Sequence, residues 1–143
     1  MTLATSRGAV VIDTDVYGAE LTGSPLALRY RSVIAGRPVF ISFQTEAELR
    51  FGALLRGWGK ARMLQLEARL AAVETVHSGP DLINTYARLR TDCWRVGHAL
   101  AQKEHDADRW VAATAIRLGI PLVANDRIYD NAPGLQVERP TDS

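Results

Sequence analysis

Carboxylates stand at four places in this chain where a strand should end or a helix begin: Asp13 and Asp15, Glu46 and Glu48, Asp106 and Asp108, and Asp126. If several share one cleft, they repel one another and resist ionisation unless a cation neutralises them. A donor set made only of oxygen favours Mg²⁺ or Mn²⁺. Such an ion, shared between carboxylates and substrate phosphate oxygens, supports metal-assisted hydrolysis of a phosphodiester by an activated water. Taken singly, each acid also has a plain structural use. Asp106 suits an N-cap, Asp108 and the two glutamates suit the first turn of a helix, and Asp126 suits a turn. What weakens the plain explanation is that Asp13 and Asp126 each close an apolar run, "GAVVID" and "IPLVAND".

The elements that must position these acids follow from the apolar pattern. "GAVVID", "RPVFIS", "AAVETV" and "IPLVAND" are short buried strands, and "GLQVER" is a last short one. Between them lie helices. "SPLALRYRSVIAG" has Ser24 to cap it, Pro25 in its first turn and Gly36 to stop it. "TEAELRFGALLRGWG" opens on Thr45, and "KARMLQLEARL" resumes after Gly57 and Gly59. "GPDLINTYARLRTDCWRVGHALAQ" carries an apolar stripe at positions 82, 83, 86, 89, 93, 96 and 100, and "DADRWVAATAIRLG" stops at Gly119. Trp94 and Trp110 lie on these stripes and are expected in the core. Alternating strands and helices predict an α/β fold, a central parallel sheet of four to five strands with helices on both faces. Ligands of such sheets bind outside the carboxyl ends of the strands, so Asp13 and Asp126 are expected on one rim.

At 143 residues the chain reads as one domain, 1–143, with its core at about 9–138 and a loose "PTDS" tail. The single cysteine, Cys93, forms no internal disulfide and fits a reducing compartment. The N-terminus lacks the continuous apolar stretch of a signal peptide, and no run approaches membrane-spanning length, so a cytoplasmic protein is expected. His77, His98 and His105 share no ligand spacing and read as surface or cap residues. The net charge of +1 excludes little, but its distribution is uneven: from Arg29 to Arg69 eight basic side chains face three acids. A basic flank beside an acidic site suits a polyanion held near a metal, and Arg50, Arg56, Lys60 and Arg62 are the candidates for its backbone.

In order and spacing, four segments resemble the PIN-domain ribonucleases, and most closely the VapC-like toxins of bacterial toxin–antitoxin pairs. They are "VVIDTDVYG", "ISFQTEAELRFGA", "DADRWVAATAIRLG" and "PLVAND", and the resemblance spans residues 9 to 130. It implies a PIN-like three-layer α/β/α fold. It implies Asp13, Glu48, Asp108 and Asp126 as the catalytic acids, with Asp13, Asp108 and Asp126 on Mg²⁺ or Mn²⁺. Positions 46 and 48 point to different sides of a helix of about 3.6 residues per turn, and the resemblance selects Glu48. Thr14, Asp15, Asp106 and Asn125 are auxiliary candidates, with Arg109 as a possible ion-pair partner of Asp106. Two positions depart from the family pattern: Asp15 stands where Asn is usual, and Ala124 where Thr or Ser is usual.

The implied activity is endoribonuclease action by metal-activated water, leaving a 5′-phosphate and a 3′-hydroxyl. The implied partners are an RNA substrate, a cognate antitoxin laid in an apolar groove, and a second copy of the chain. "WGKARMLQL", with Trp58, Met63, Leu64 and Leu66, is the candidate groove wall, and core packing is the competing use of those residues. Two other functions stay open. One is a non-catalytic PIN module acting by binding or assembly. The other is a small phosphatase of the haloacid dehalogenase class, in which Asp13 would be the nucleophile and Asp15 the acid. The latter also needs a lysine at the phosphoryl group, and neither Lys60 nor Lys103 lies in a convincing motif.

Overall fold

The structure, a computed structural model, describes residues 7–141. Within these residues five short parallel strands form one sheet: β1 (Val10–Ile12), β2 (Val39–Ser42), β3 (Glu74–Val76), β4 (Leu122–Val123) and β5 (Val137–Glu138). Their order across the sheet is β3-β2-β1-β4-β5. Val11 lies beside Phe40 on one side and Leu122 on the other, so β1 is central and β4 is its neighbour. The Asp13 N–H bonds the Val123 carbonyl at 3.0 Å, which ties the end of β1 to the end of β4.

Among the described residues six α-helices cover the sheet: α1 (Thr14–Thr22), α2 (Pro25–Ile34), α3 (Phe43–Leu55), α4 (Lys60–Ala71), α5 (Pro80–Val96) and α6 (Asp106–Leu118). Alternation along β1 divides the core between the two faces. Val11 packs with Leu82, Leu89, Cys93, Leu100 and the alanines of α6. Val10 and Ile12 pack the other way, with Val16, Tyr17, Tyr30, Leu66 and Leu70. The result is the three-layer α/β/α arrangement expected of the sequence. In α6 the run Ala112, Ala113, Thr114 and Ala115 is wholly buried, and these small side chains let the helix lie close on the sheet.

Several elements differ in detail from expectation. Helix α1 follows β1 at once, with Asp13 as its N-cap; the sequence pattern marked no helix there. Helix α3 begins at Phe43, with Ser42 and not Thr45 supplying the cap at 3.1 Å to the Gln44 N–H. Thr45 is instead fully buried, and its hydroxyl meets that of Thr14 at 3.0 Å. The long stripe after Gly79 breaks at Gly97, whose φ of 75° closes α5, and two short 3₁₀ turns lead on to α6. Trp94 is 74 % exposed and lies outside the core, while Trp110 packs edge-on to Phe43 and stacks on Tyr86. His98 is a cap, its Nδ1 accepting from the Leu100 N–H at 3.0 Å. The expected loose tail falls partly on residues 142–143, outside the described residues, as do residues 1–6 of the N-terminal stretch. Among the described residues no helix is long and apolar enough to cross a membrane.

Candidate metal-dependent active site

Asp13, Thr14, Asp15, Glu48, Asp108, Asp126 and Tyr129, with Ala107 and Val111, line one cavity of ≈40 Å³ at the carboxyl ends of β1 and β4. Each acid reaches it from a different element. Asp13 ends β1, and its Oδ1 accepts the Val16 N–H at 2.9 Å. Asp126 follows β4 and caps a 3₁₀ turn (Arg127–Tyr129), its Oδ1 accepting the Ile128 N–H at 2.9 Å. Glu48 comes from the second turn of α3 and accepts from the Gln44 amide at 3.1 Å. Asp108 comes from the first turn of α6, where the helix dipole favours a carboxylate.

The electrostatics are those of crowded acids. Burial pushes the Asp13 carboxyl up to about 7, with Asp15 and Asp126 adding to the rise; the N–H groups of Val16 and Asn125 pull the other way. Asp15 is also raised, first by burial and then by Asp126 and Asp108. A cation in the cavity would relieve all of these at once. The donors fit a hard ion, since every acidic ligand offers oxygen and no cysteine or histidine lines the cavity. Among the described residues, no three acidic, imidazole or thiol side chains converge closely enough to hold a metal alone. Water or substrate oxygens would therefore complete the shell, which is the usual mode for Mg²⁺.

Other candidates lie elsewhere. Glu46 turns away from the cavity to Arg50 at 2.9 Å and the Thr75 hydroxyl at 3.1 Å, so Glu48 is the glutamate of the pair that faces it. Asp106, expected on the same rim, is neither a cap nor a cavity residue. It accepts from the Tyr86 hydroxyl and pairs with Arg109 at 3.3 Å. Arg109 is itself 1 % exposed and also donates to the carbonyls of Leu100 and Gln102, stapling α6 to the preceding turns. The Asn125 side chain faces Tyr30 at 3.0 Å, and only its backbone N–H serves Asp13. Ala124 is fully buried, with its carbonyl 3.2 Å from the Tyr30 hydroxyl. Arg50 is committed to Glu46 and to Glu67 at 2.7 Å, which leaves little of its charge for a ligand.

A second cavity of ≈610 Å³ opens beside the acids. Thr14, Asp15 and Glu48 form its end, and Leu21, Leu49, Phe51, Leu55, Arg56 and Trp58 line its length. It is larger than the acidic cavity, and its length is mostly apolar. Of the expected wall residues only Trp58 lines it. Leu66 is buried in the core, Met63 packs against that core, and Leu64 is exposed outside the groove. Arg62 stacks over the Trp58 ring at 4.7 Å, and Lys60 begins α4 in an exposed position.

Tyr129 and His105 escaped the sequence pattern as site residues. The Tyr129 hydroxyl donates to Asp108 Oδ1 at 3.2 Å, and His105 Nδ1 lies 3.2 Å from Asp108 Oδ2. Spacing gives no sign of either contact, because each depends on how the turns before α6 and after β4 fold back.

Comparison with known proteins gives a concordant result. The family model described as PIN domain matches residues 10–135. Among solved structures, the chain is similar to VapBC2 of Rickettsia felis, bound to a DNA fragment from its promoter. That match has 20 % identity and a TM-score of 0.74, and covers 91 % of this chain and 97 % of the other. It is similar to VapBC-5, a VapBC toxin–antitoxin system of Mycobacterium tuberculosis, at 28 % identity and TM-score 0.66, covering 92 % and 98 %. It is also similar to VapC20 of M. tuberculosis, a sarcin–ricin loop cleaving toxin, at 22 % identity and TM-score 0.60, covering 92 % and 99 %. Among curated proteins no significant match is found.

Proposed function

The chain belongs to the PIN domain family, and from that premise we propose that it is a divalent-metal-dependent endoribonuclease, the toxin of a toxin–antitoxin pair. The observation that carries this reading is the meeting of Asp13, Glu48, Asp108 and Asp126, from four separate elements, around one small cavity. Fold likeness to a toxin that cleaves the sarcin–ricin loop supports RNA as the substrate class. Likeness to VapBC pairs supports an antitoxin as partner. A homodimer is expected on the same resemblance.

Asp13, Asp108 and Asp126 would hold Mg²⁺ or Mn²⁺ directly or through water. When bound, the ion supplies Lewis-acid stabilisation of the phosphate and lowers the pKa of a nearby water. Glu48 lines the same cavity and would orient that water or accept its proton. Asp13, ionised reluctantly in this chain, would become a full carboxylate once its charge is matched. The Thr14–Thr45 hydroxyl pair fixes the start of α1 against α3, and so the spacing of Asp13 and Glu48.

Arg56, on the wall of the larger groove, is the basic residue best placed for RNA phosphates entering the cavity; Lys60 and Arg62 stand in the first turn of α4. The same groove would take the antitoxin. Leu21, Leu49, Phe51, Leu55 and Trp58 offer an apolar bed to an amphipathic segment, and Asp15 and Glu48 at its end would receive a basic side chain.

Induced expression of the chain in a bacterial host tests this reading. Growth should stop and cellular RNA should be cut, and Asp108→Asn should restore growth at equal protein level. Equal growth arrest by wild type and variant would contradict it.

A further inference from the structure

The geometry points to Tyr129 as a positioning residue that holds the Asp108 carboxylate toward the metal-binding cavity. This rests on the nuclease reading above and adds a residue to it. Tyr129 is 2 % exposed and lines the cavity beside Asp13, Asp108 and Asp126. Its hydroxyl donates to Asp108 Oδ1 at 3.2 Å. The other oxygen, Oδ2, lies 3.2 Å from His105 Nδ1, so both oxygens of this one carboxylate are engaged.

The chemistry suits the place. A cationic donor among these acids would oppose a metal, and a further acid would add charge that has to be matched. A phenol donates without a charge. It uses one lone pair of Asp108 and leaves others for an ion.

The turn that carries Tyr129 is itself braced. Arg139 donates to the Asp126 carbonyl at 2.9 Å and pairs with Asp130 at 2.7 Å, and His98 Nε2 meets the Asp130 carbonyl at 2.7 Å. The same short turn therefore presents Asp126 as a ligand and fixes Asp108 across the cavity, which couples two acids far apart in sequence. Partners that orient a metal-binding side chain typically affect metal affinity by about 10–100-fold when lost.

The test is a Mn²⁺ titration of the full chain, followed by electron paramagnetic resonance, on wild type, Tyr129→Phe and Asp13→Asn, at a temperature where all are folded. Tyr129→Phe keeps the buried ring and removes only the hydroxyl. Its Kd for Mn²⁺ should rise about tenfold. In RNA cleavage the same variant should lose kcat with KM little changed. An unchanged Kd in Tyr129→Phe, with Asp13→Asn strongly weakened, overturns the role of Tyr129 and leaves the nuclease reading standing. Equal Kd in all three proteins overturns both, since the acids would then not be ligands.

Discussion

Removing the Asp13 charge should remove a pH dependence from the stability of the metal-free protein. The group is 2 % exposed, and its carboxyl is displaced from 3.8 to about 7, chiefly by burial. In the unfolded chain it returns to the ordinary value. Between those two pKa values the folded protein therefore holds a proton that the unfolded chain has released. A raised folded pKa makes its contribution most favourable below about pH 4, declining as pH climbs to about 7 and level beyond. At about 1.36 kcal/mol per pH unit, a window about three units wide amounts to about 4 kcal/mol, of which about 3 kcal/mol falls between pH 5 and pH 8. Asp13→Asn keeps an Oδ1 for the Val16 N–H and carries no charge, so it lacks this slope. Urea unfolding in chelator should show the wild type losing about 3 kcal/mol against the variant from pH 5 to pH 8. With saturating Mn²⁺ the order reverses, because binding stabilises the wild type by mass action and the variant much less. Parallel stability curves for the two proteins in chelator would refute the reasoning.

Four more outcomes follow from particular residues. Arg109→Met orphans the Leu100 and Gln102 carbonyls and should cost about 3 kcal/mol, seen as a melting midpoint lower by about 10 °C. Arg50→Ala should leave RNA affinity nearly unchanged, since Glu46 and Glu67 already occupy the guanidinium. Arg56→Ala should weaken binding and lower the salt slope by about one, as read from fluorescence anisotropy at several salt concentrations. Trp94→Ser, at an exposed position, should change the unfolding free energy of the monomer by no more than about 0.5 kcal/mol.

The parallel sheet was legible because its central strands β1 and β4 are apolar on both faces, and the runs "GAVVI" and "PLVA" have that character. Asp13 and Asp126 could be placed on one rim for the same reason: a residue that ends an apolar run ends a strand. Helix α1 was not legible. It is nine residues long, holds Gly18 and several β-branched side chains, and shows no clean apolar period. The start of α3 was ambiguous because Ser42 and Thr45 are both hydroxyl caps by type. Only the strand running straight into the helix decides for Ser42. Trp94 has the apolar character of a core residue but not the angle: it follows the buried Cys93 by one residue, a turn of about 100° round the helix. Asp106, an auxiliary candidate by sequence, lies outside the cavity, and Tyr129, to which the sequence assigns no role, lines it, both through tertiary contacts that spacing does not encode.

The central claim is that the acidic cavity hydrolyses RNA with the help of a divalent ion. Purified protein free of antitoxin, incubated with total cellular RNA in Mn²⁺, in Mg²⁺ and in chelator, beside Asp13→Asn and Asp108→Asn, tests it most directly. Discrete cuts bearing 5′-phosphates, lost in chelator and in both variants, are the predicted result. Cutting that persists in chelator or in either variant, or no cutting of any RNA by the folded wild type, would contradict it.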